Sequence, residues 1–336
     1  MAGRPAPVTP PEHVVGAVPP GSVVVGMQLP IQSQSTLYVA EWETSAGPAE
    51  LATVARTADR SGFFYVAVCD HTAIPRRLAA AMGTVWYDTV ATLGWLAGIT
   101  SDVRLLSHVL VLAARHPLRA AKELATLDRL SGGRLLVGVG AGHVPEEFAM
   151  LAGDGSFERR GRDTDEAVAA LAAALVDEFP TLPGPRWPVT DMGIAPRPQQ
   201  EPRPPIWIGG STVPAIRRTA LLGDGWLPQG TPRAQLPGQI EQLRRFRDEL
   251  RGGAPIDIGT IAEPIYLNGP GTPGDTTWHQ PRWALTGTAD EVAASLHPLV
   301  AMGVNHLQVR FMARSLGELC DQITAFGELV LPLLNP

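Results

Sequence analysis

The chain has 336 residues, of which 45% are hydrophobic and 18% charged, a composition typical of a globular protein with a sizeable core. A net charge of -6 and an isoelectric point near 5.8 argue against a nucleic-acid-binding protein, because no basic excess is available to neutralise phosphates. The two cysteines, Cys69 and Cys320, exclude a disulfide framework and disfavour a metal site, so we expect no metal and a reducing cytosol.

The first residues, MAGRPAPVTPPEHVVGAVPPG, are rich in proline and lack the apolar segment of a signal peptide. We interpret residues 1–22 as a flexible leader and residues 23–336 as a single domain. No apolar run approaches the length of a membrane span, so we expect a cytoplasmic protein without a membrane partner.

Strand-like and helix-like segments then alternate along the chain. In the first half the predicted strands are VVVGMQL (23–29), FFYVAVC (63–69), VRLLSHVLVL (103–112) and RLLVGVG (134–140). The predicted helices between them are AELATVARTADRSG (49–62), WYDTVATLGWLAGIT (86–100) and PLRAAKELATLDRLSGG (117–133).

The second half repeats this pattern. Its predicted strands are PIWIGG (205–210), DGWLP (224–228), IDIGTIAEPIYL (256–267) and VNHLQVRF (304–311). Its predicted helices cover about 164–176, then 213–223, 233–251, 289–303 and 315–334.

Eight apolar strands that alternate with eight helices indicate a parallel sheet covered by helices. The count and the length favour a (β/α)8 TIM barrel, with a doubly wound sheet as the alternative. Two segments, 141–163 and 179–204, exceed ordinary loop length, and such insertions are usually functional. The first follows the fourth strand, and therefore leaves the barrel at its C-terminal face, where barrel enzymes keep their active sites.

Polar residues collect where the predicted strands end. These are Cys69-Asp70-His71 after the second strand, Ser107-His108 within the third, Gly140-Ala141-Gly142-His143 after the fourth, Gly209-Gly210-Ser211 after the fifth and Gln308-Val309-Arg310 at the eighth. Asp70 and His71 have two interpretations of about equal weight: a helix cap beside a solvated histidine, or a catalytic pair at a barrel mouth. For His108, a hydrogen bond in the core and a ligand contact are both open.

The glycine motifs are ambiguous by themselves. VGVGAG lacks the full spacing of a dinucleotide fingerprint, and its glycines are better explained by the close approach of a flat ligand. GGST before a helix suits a phosphate, because free N–H groups and the Ser211 hydroxyl point at the same position. The alternative is a tight turn with an N-cap at Ser211 or Thr212.

Four segments resemble the bacterial luciferase-like monooxygenase superfamily, and most closely its branch that uses the deazaflavin coenzyme F420. They are ARTADRSGFFYVAVCDH (55–71), RHPLRAAKELATLDRLSGGRLLVGVGAGHVPEEF (115–148), FERRGRDTDEAV (157–168) and APRPQQEPRPPIWIGGSTVPAIRRTALLGDGWLP (195–228). The resemblance extends over most of the chain from Val23 onward, and the family fold, a (β/α)8 barrel with insertions, agrees with the strand count.

The resemblance implies roles for the residues at the strand ends. Asp70 and His71 would lie against the ring system, with His71 as proton donor or acceptor, and a non-prolyl cis peptide is expected at His108-Val109 behind the ring. The remaining cofactor contacts implied are Ser107, Gly140, Ala141, Gly142 and His143 at the ring or its side chain, Gly209, Gly210 and Ser211 at the phosphate, and Arg160 at a loop or an anion. The sequence departs from relatives at His108, where a small or hydroxylic residue is common, and at His143, where some deazaflavin dehydrogenases carry a glutamate.

We therefore predict an oxidoreductase, a reductase or dehydrogenase, that transfers a hydride between coenzyme F420 and a small-molecule substrate, with His71 or His143 moving the proton. The alternative is an FMN-dependent two-component monooxygenase on the same fold. A third hypothesis is a cofactor-binding barrel that has lost catalysis and serves as a carrier or sensor. The family also makes a homodimer an expectation.

Overall fold

The computed structural model describes residues 10–33, 35, 39–268 and 284–335. Residues 1–9 of the predicted leader therefore lie outside the described residues. The fold is the predicted (β/α)8 barrel: parallel strands alternate with helices along the described chain. None of the described helices is long and apolar enough to cross a membrane.

The strands of the described residues are short and mostly buried. They are β1 (Val24–Gln28), β2 (Tyr65–Val68), β3 (Arg104–Ser107), β4 (Leu110–Val111), β5 (Leu135–Gly140), β6 (Ile206–Gly209), β7 (Gly225–Leu227), β8 (Asp257–Ile261), β9 (Ile265–Leu267), β10 (Leu285–Gly287) and β11 (His306–Val309).

The α-helices of the described residues include the predicted ones in the predicted order, with α2 and α5 in addition. They are α1 (Pro48–Arg60), α2 (Ala79–Met82), α3 (Thr89–Ala97), α4 (Pro117–Leu130), α5 (Pro145–Ala152), α6 (Ser156–Val176), α7 (Val213–Leu222), α8 (Leu236–Arg251), α9 (Ala289–Ala301), α10 (Leu316–Ala325) and α11 (Leu331–Leu334).

The chain divides into two compact units. The terminal unit contains Val18–Ser107, Pro228–Gly230 and Asp257–Pro336, and its strand order is β3-β2-β1-β11-β8. The central unit contains Met1–Ala17, His108–Leu227 and Thr231–Ile256, and its strand order is β7-β6-β5-β4. Within each unit every strand pair with a recorded register is parallel.

Several local predictions differ from the structure. The third predicted strand is split into β3 and β4, and the His108-Val109 peptide between them is cis. The seventh is split into β8 and β9, since Pro264 has no N–H for a sheet hydrogen bond, and β9 pairs with β10 instead. The long segment after the fourth strand contains α5. Helix α6 begins at Ser156, eight residues before the predicted Thr164, because Arg and Glu are good helix formers.

A layer of close packing in the terminal unit depends on Gly259. A Cβ added at this position would lie 1.9 Å from Cε1 of His306, and only 1% of His306 is exposed, so the imidazole has little room to move. We expect Gly259→Ala to lower the free energy of unfolding by about 1–3 kcal/mol, measured by urea denaturation, because the core would be overpacked.

The matched control is Gly238→Ala on the exposed face of α8. An added Cβ there meets nothing within 4 Å, and alanine is the better helix former, so this variant should be equally or more stable. Equal stability of the Gly259→Ala protein and the wild type would show that His306 does not fix this packing.

Candidate functional site

The end of β2 holds a buried carboxyl group in the terminal unit. Asp70 is 8% exposed, and its Oδ1 accepts a hydrogen bond of 3.1 Å from the hydroxyl of Thr89. The same hydroxyl lies 2.7 Å from the carbonyl oxygen of Cys69. Asp88, rather than Asp70, is the N-cap of α3, and it accepts from the N–H of Ala91 at 2.8 Å. The helix-cap interpretation of Asp70 is therefore wrong for α3, and its carboxyl group is fixed beside the strand end.

His71, the next residue, is half-buried and packs against Trp86. The two ring centroids are 4.6 Å apart and the rings meet edge to face at 71°. This contact limits the orientation of the imidazole. The Nε1 of Trp86 is buried, and no residue of the described chain hydrogen-bonds to it.

Sequence reasoning missed Trp86, which we assigned to the start of a helix. An isolated bridge to Ser33 holds this part of the chain in an extended conformation ahead of the helix. The available signal was an indole two residues before the N-cap Asp88, in the loop that follows the strand end.

Cys69 is a core residue, as its position in the strand suggested. Burial raises the pKa of its thiol, so the sulfur is protonated and unreactive at neutral pH. Its Sγ accepts a hydrogen bond from Nε2 of Gln28, and Gln28 in turn accepts one from the guanidinium of Arg310. The ends of β1, β2 and β11 are thus linked by side chains within the terminal unit.

Ser107 and His108 are both buried, at 0% and 7% exposure. Ser107 ends β3, in register with Val68 of β2. The predicted cis peptide between His108 and Val109 is confirmed. His108 is the first residue of the segment His108–Leu227, which belongs to the central unit.

In the central unit, Val109 explains two of the predicted cofactor-binding glycines. A Cβ at Gly140 would lie 2.4 Å from Cγ2 of Val109, and a Cβ at Gly209 would lie 3.1 Å from its Cγ1. Gly140 is therefore required for the packing of Val109, whereas a Cβ at Gly209 would need a shift of a few tenths of an ångström. Their predicted contact with a flat ligand stays a prediction.

The residues in the turn after β5 differ in backbone conformation and burial. Gly142 has a φ of +70°, and a Cβ there would lie 2.6 Å from the ring of Phe148. Ala141 is half-buried, whereas His143 is exposed. His71, the other histidine predicted to move a proton, is half-buried and packs against Trp86.

The turn after β6 has the form expected of an anion site. Gly210 has a φ of +114°, and its carbonyl oxygen accepts from Nε1 of Trp226 at 2.8 Å. Thr212 is the N-cap of α7, which is one of the two caps that the sequence left open. The half-buried Ser211 directly precedes this cap, and its carbonyl oxygen accepts from Nε2 of Gln239 at 3.1 Å.

A second hydroxyl lies beside Ser211. The Oγ1 of Thr231 is 2.5 Å from Oγ of Ser211 and 3.0 Å from Oε1 of Gln239. Two hydroxyl groups thus lie at the N-terminus of a ten-residue helix, where the N–H groups and the helix dipole favour an anion. The donors here are neutral, so the helix itself would supply the electrostatic attraction.

Arg160 makes its contacts within α6. Its guanidinium lies 3.9 Å from the ring centroid of Phe157, and its Nη1 donates to the carbonyl oxygen of Phe157 at 2.9 Å. The predicted role of Arg160 at a loop or anion stays a prediction. Within the described ranges, no three His, Cys, Asp or Glu side chains are grouped so as to hold a metal ion.

The chain is similar to proteins that carry different redox cofactors. It is 24% identical over 327 residues to the FMNH2-dependent dimethylsulfone monooxygenase of Pseudomonas putida, with 84% of this chain and 86% of that protein covered. It superposes on an F420-dependent secondary alcohol dehydrogenase, solved with an F420-acetone adduct, with a TM-score of 0.72 at 17% identity, covering 94% of this chain and 100% of that one. The second likeness concerns the fold alone.

An uncharacterized protein of Mycobacterium tuberculosis is 28% identical over 180 residues, or 54% of this chain, and the match covers 61% of that relative's length. The model of the luciferase-like monooxygenase family matches residues 24–268, which include Asp70 and His71 at the end of β2 and Ser211 after β6. The chain belongs to the luciferase-like monooxygenase family.

Proposed function

We propose that this protein is an oxidoreductase that transfers a hydride between coenzyme F420 and a small organic substrate. The observation that carries the proposal is the arrangement at the end of β2, where the His71 imidazole packs against Trp86 and the carboxyl group of the preceding residue, Asp70, is fixed by Thr89. Family membership supports the redox class, since the matched residues include Asp70, His71 and Ser211.

His71 meets the chemical need of such a reaction. When a hydride is added to a carbonyl carbon or removed from a carbinol carbon, one proton must move at the oxygen. An imidazole changes charge near neutral pH and can both donate and accept that proton. The coenzyme, when bound, supplies C5 as the hydride donor or acceptor.

The turn after β6 fits the phosphate of the coenzyme. Gly210 in its positive-φ conformation turns the chain so that Ser211 and Thr212 lie at the start of α7. Helix N–H groups and the Ser211 hydroxyl together can bind a phosphate without a cationic side chain. This local structure supports the predicted role of Gly209, Gly210 and Ser211.

An FMN-dependent two-component monooxygenase is the second candidate. It is favoured by the similarity to the Pseudomonas putida enzyme, which extends over 84% of this chain. FMN also carries a phosphate, so the turn after β6 would serve either cofactor. The ring chemistry decides between them: a deazaflavin has carbon at position 5 and favours hydride transfer, whereas a flavin can also activate oxygen.

Titration of the purified protein with F420 and with FMN, each oxidised and reduced, tests the proposal. We expect tight binding of F420 and none of FMN. Binding is measured from the change in the fluorescence of the cofactor. Ser211→Ala should weaken F420 binding about tenfold, because one hydrogen bond to a charged group is lost. Ser295→Ala is the control: its hydroxyl donates to the carbonyl oxygen of Glu291 within α9, and its loss should leave binding unchanged. Binding of FMN with no binding of F420 would overturn the proposal.

The same proposal places the enzyme in the cytosol and gives it a small-molecule substrate. It includes a homodimer, which the molar mass in solution would test. The expected absence of a metal requirement would be checked by activity after dialysis against a chelator.

A further inference from the structure

Gln32, in the segment that follows β1, is a fully buried side chain whose amide is hydrogen-bonded at both ends within the terminal unit. Its Oε1 accepts the N–H of Cys69 at 3.2 Å. Its Nε2 donates to the carbonyl oxygen of Leu29 and to Oγ of Ser33, each at 3.1 Å. Because a buried amide is stable only when such bonds are made, they fix the orientation of the Gln32 side chain.

The first connection that Gln32 makes leads to His71. Strand β2 ends at Val68, and Cys69 is the first residue beyond it, so the bond from its N–H to Gln32 lies where the chain leaves the strand. His71 follows two residues later. A backbone N–H that is bonded to a fixed amide has little freedom to move, so Gln32 fixes the point from which His71 projects.

The second connection leads to Trp86. The carbonyl oxygen of Gln32 accepts the N–H of Tyr87 at 2.9 Å, and Tyr87 directly follows Trp86. Ser33, the neighbour of Gln32, forms the isolated bridge with Trp86. Gln32 is thus bonded both to the segment that carries the His71 imidazole and to the segment that carries the indole against which it packs.

The backbone just before Gln32 is held in a strained conformation. Ile31 has a φ of +69°, which a β-branched residue rarely adopts. The N–H of Gln32 lies 2.7 Å from the carbonyl oxygen of Pro30, the pattern of a tight γ-turn around Ile31. The N–H of Ile31 donates to Oε2 of Glu43 at 3.1 Å. A conformation of this kind persists only where the surrounding contacts determine it, so Gln32 is held in place against the local backbone preference.

Thr89 provides a different link between the same two segments. Its hydroxyl lies 2.7 Å from the carbonyl oxygen of Cys69 and 3.1 Å from Oδ1 of Asp70. Thr89 therefore orients the carboxyl group of Asp70. The bonds of Gln32 lie instead on N–H groups two residues before His71 and one residue after Trp86.

We infer that Gln32 is a positioning residue for His71, whose bonds to Cys69 and Tyr87 hold the imidazole against Trp86. The effect of this contact on catalysis rests on the proposed function, in which His71 moves the proton. A displacement of a reacting group by about 1 Å can lower a rate about a hundredfold, so Gln32 would act on the rate through the position of His71.

The first test needs no redox cofactor and measures the contact itself by NMR. In deuterated protein with protonated histidine and tryptophan, ring protons of His71 and Trp86 should give a nuclear Overhauser cross-peak, because the ring centroids are 4.6 Å apart. Its absence from His71→Asn and from Trp86→Phe assigns this cross-peak. Gln32→Met keeps the length of the side chain but removes the amide, and should lose the cross-peak.

Gln322→Met is the matched control in the same unit. Gln322 is 6% exposed and is bonded through both amide atoms to the backbone of Leu267, at 2.6 and 3.0 Å, so this variant also loses the bonds of a buried amide. It should keep the cross-peak. Gln32→Asn covers the case in which Gln32→Met fails to fold: its shorter amide cannot reach Cys69 and Leu29 together, so the cross-peak should weaken.

The second test measures the rate of oxidation of reduced F420. Gln32→Met should lower kcat about tenfold to a hundredfold, while KM and F420 affinity stay close to the wild-type values. Gln322→Met should keep the wild-type kcat.

A wild-type cross-peak in the Gln32 variants, or an equal loss in Gln322→Met, would overturn the inference and leave the proposed function standing. Loss of the cross-peak with an unchanged kcat would overturn the positioning role. Loss of the cross-peak on substitution of Gln32, in a protein that binds neither F420 nor FMN, would support the role of Gln32 in the contact and refute the proposed function.

Discussion

Asp224→Asn is expected to lower the free energy of unfolding by about 3–5 kcal/mol, because it removes one partner of a buried ion pair. The side chains of Arg203 and Asp224 are 1% and 2% exposed, and their closest nitrogen and oxygen atoms are 2.6 Å apart. Asp224 also accepts the N–H groups of Ile206, at 2.8 Å, and Val15, at 2.9 Å. The variant would leave the Arg203 charge buried without its counter-ion.

Urea denaturation of the variant and the wild type measures this effect. The matched control is Glu123→Gln, which breaks the pair between Arg119 and Glu123 on α4, where Arg119 is 77% exposed. Solvent screens such pairs, so the control substitution should lower the free energy of unfolding by less than about 1 kcal/mol. Similar losses from the two substitutions would show that burial does not control the value of the Asp224 pair.

His71→Asn is expected to lower kcat by about 10²–10⁴-fold, the usual contribution of a positioned proton donor or acceptor. Asparagine keeps the approximate shape and polarity of the ring but cannot change its charge near neutral pH. The rate is measured as the oxidation of reduced F420 with a metabolite extract or an identified substrate. F420 affinity and the thermal midpoint of the variant should remain close to those of the wild type.

His143→Asn is the matched control for this experiment. Since His143 is exposed, we expect its kcat to change less than tenfold. A large loss with His143→Asn and none with His71→Asn would assign the proton to His143. Full function with both variants would favour the third hypothesis, a cofactor-binding barrel used as a carrier or sensor.

Much of the fold is predictable because a buried parallel strand leaves a plain signal. β2, β5 and β6 are continuous apolar segments, and each helix between strands is bounded by proline, glycine or a polar cap. The split at β3 and β4 carries no such signal: a cis peptide between His108 and Val109 is invisible in the pattern of apolar residues. Only the family resemblance pointed to it.

The candidate site shows the same division. Polar residues at strand ends can be identified from the sequence, since the carboxyl ends of parallel barrel strands share one face. The close contacts of Gly140 and Gly209 with Val109 cannot be identified from the sequence, because they depend on the register of neighbouring strands. The contacts of Trp86 with His71 and of Arg310 with Gln28 cannot be predicted either, because these partners are 15 and 282 residues away in the chain.

By itself, then, the sequence determined the strand and helix order, the barrel class and the strand-end positions of Asp70, His71 and Ser211, because these follow from local periodicity and composition. The tertiary structure decided which of these side chains are fixed and by what: Asp70 by Thr89, and His71 by Trp86. It also revealed the bonds of Gln32 to Cys69 and Tyr87. The physical reason is that burial, close packing and charge compensation arise between residues distant in the chain, and no local pattern encodes those distances.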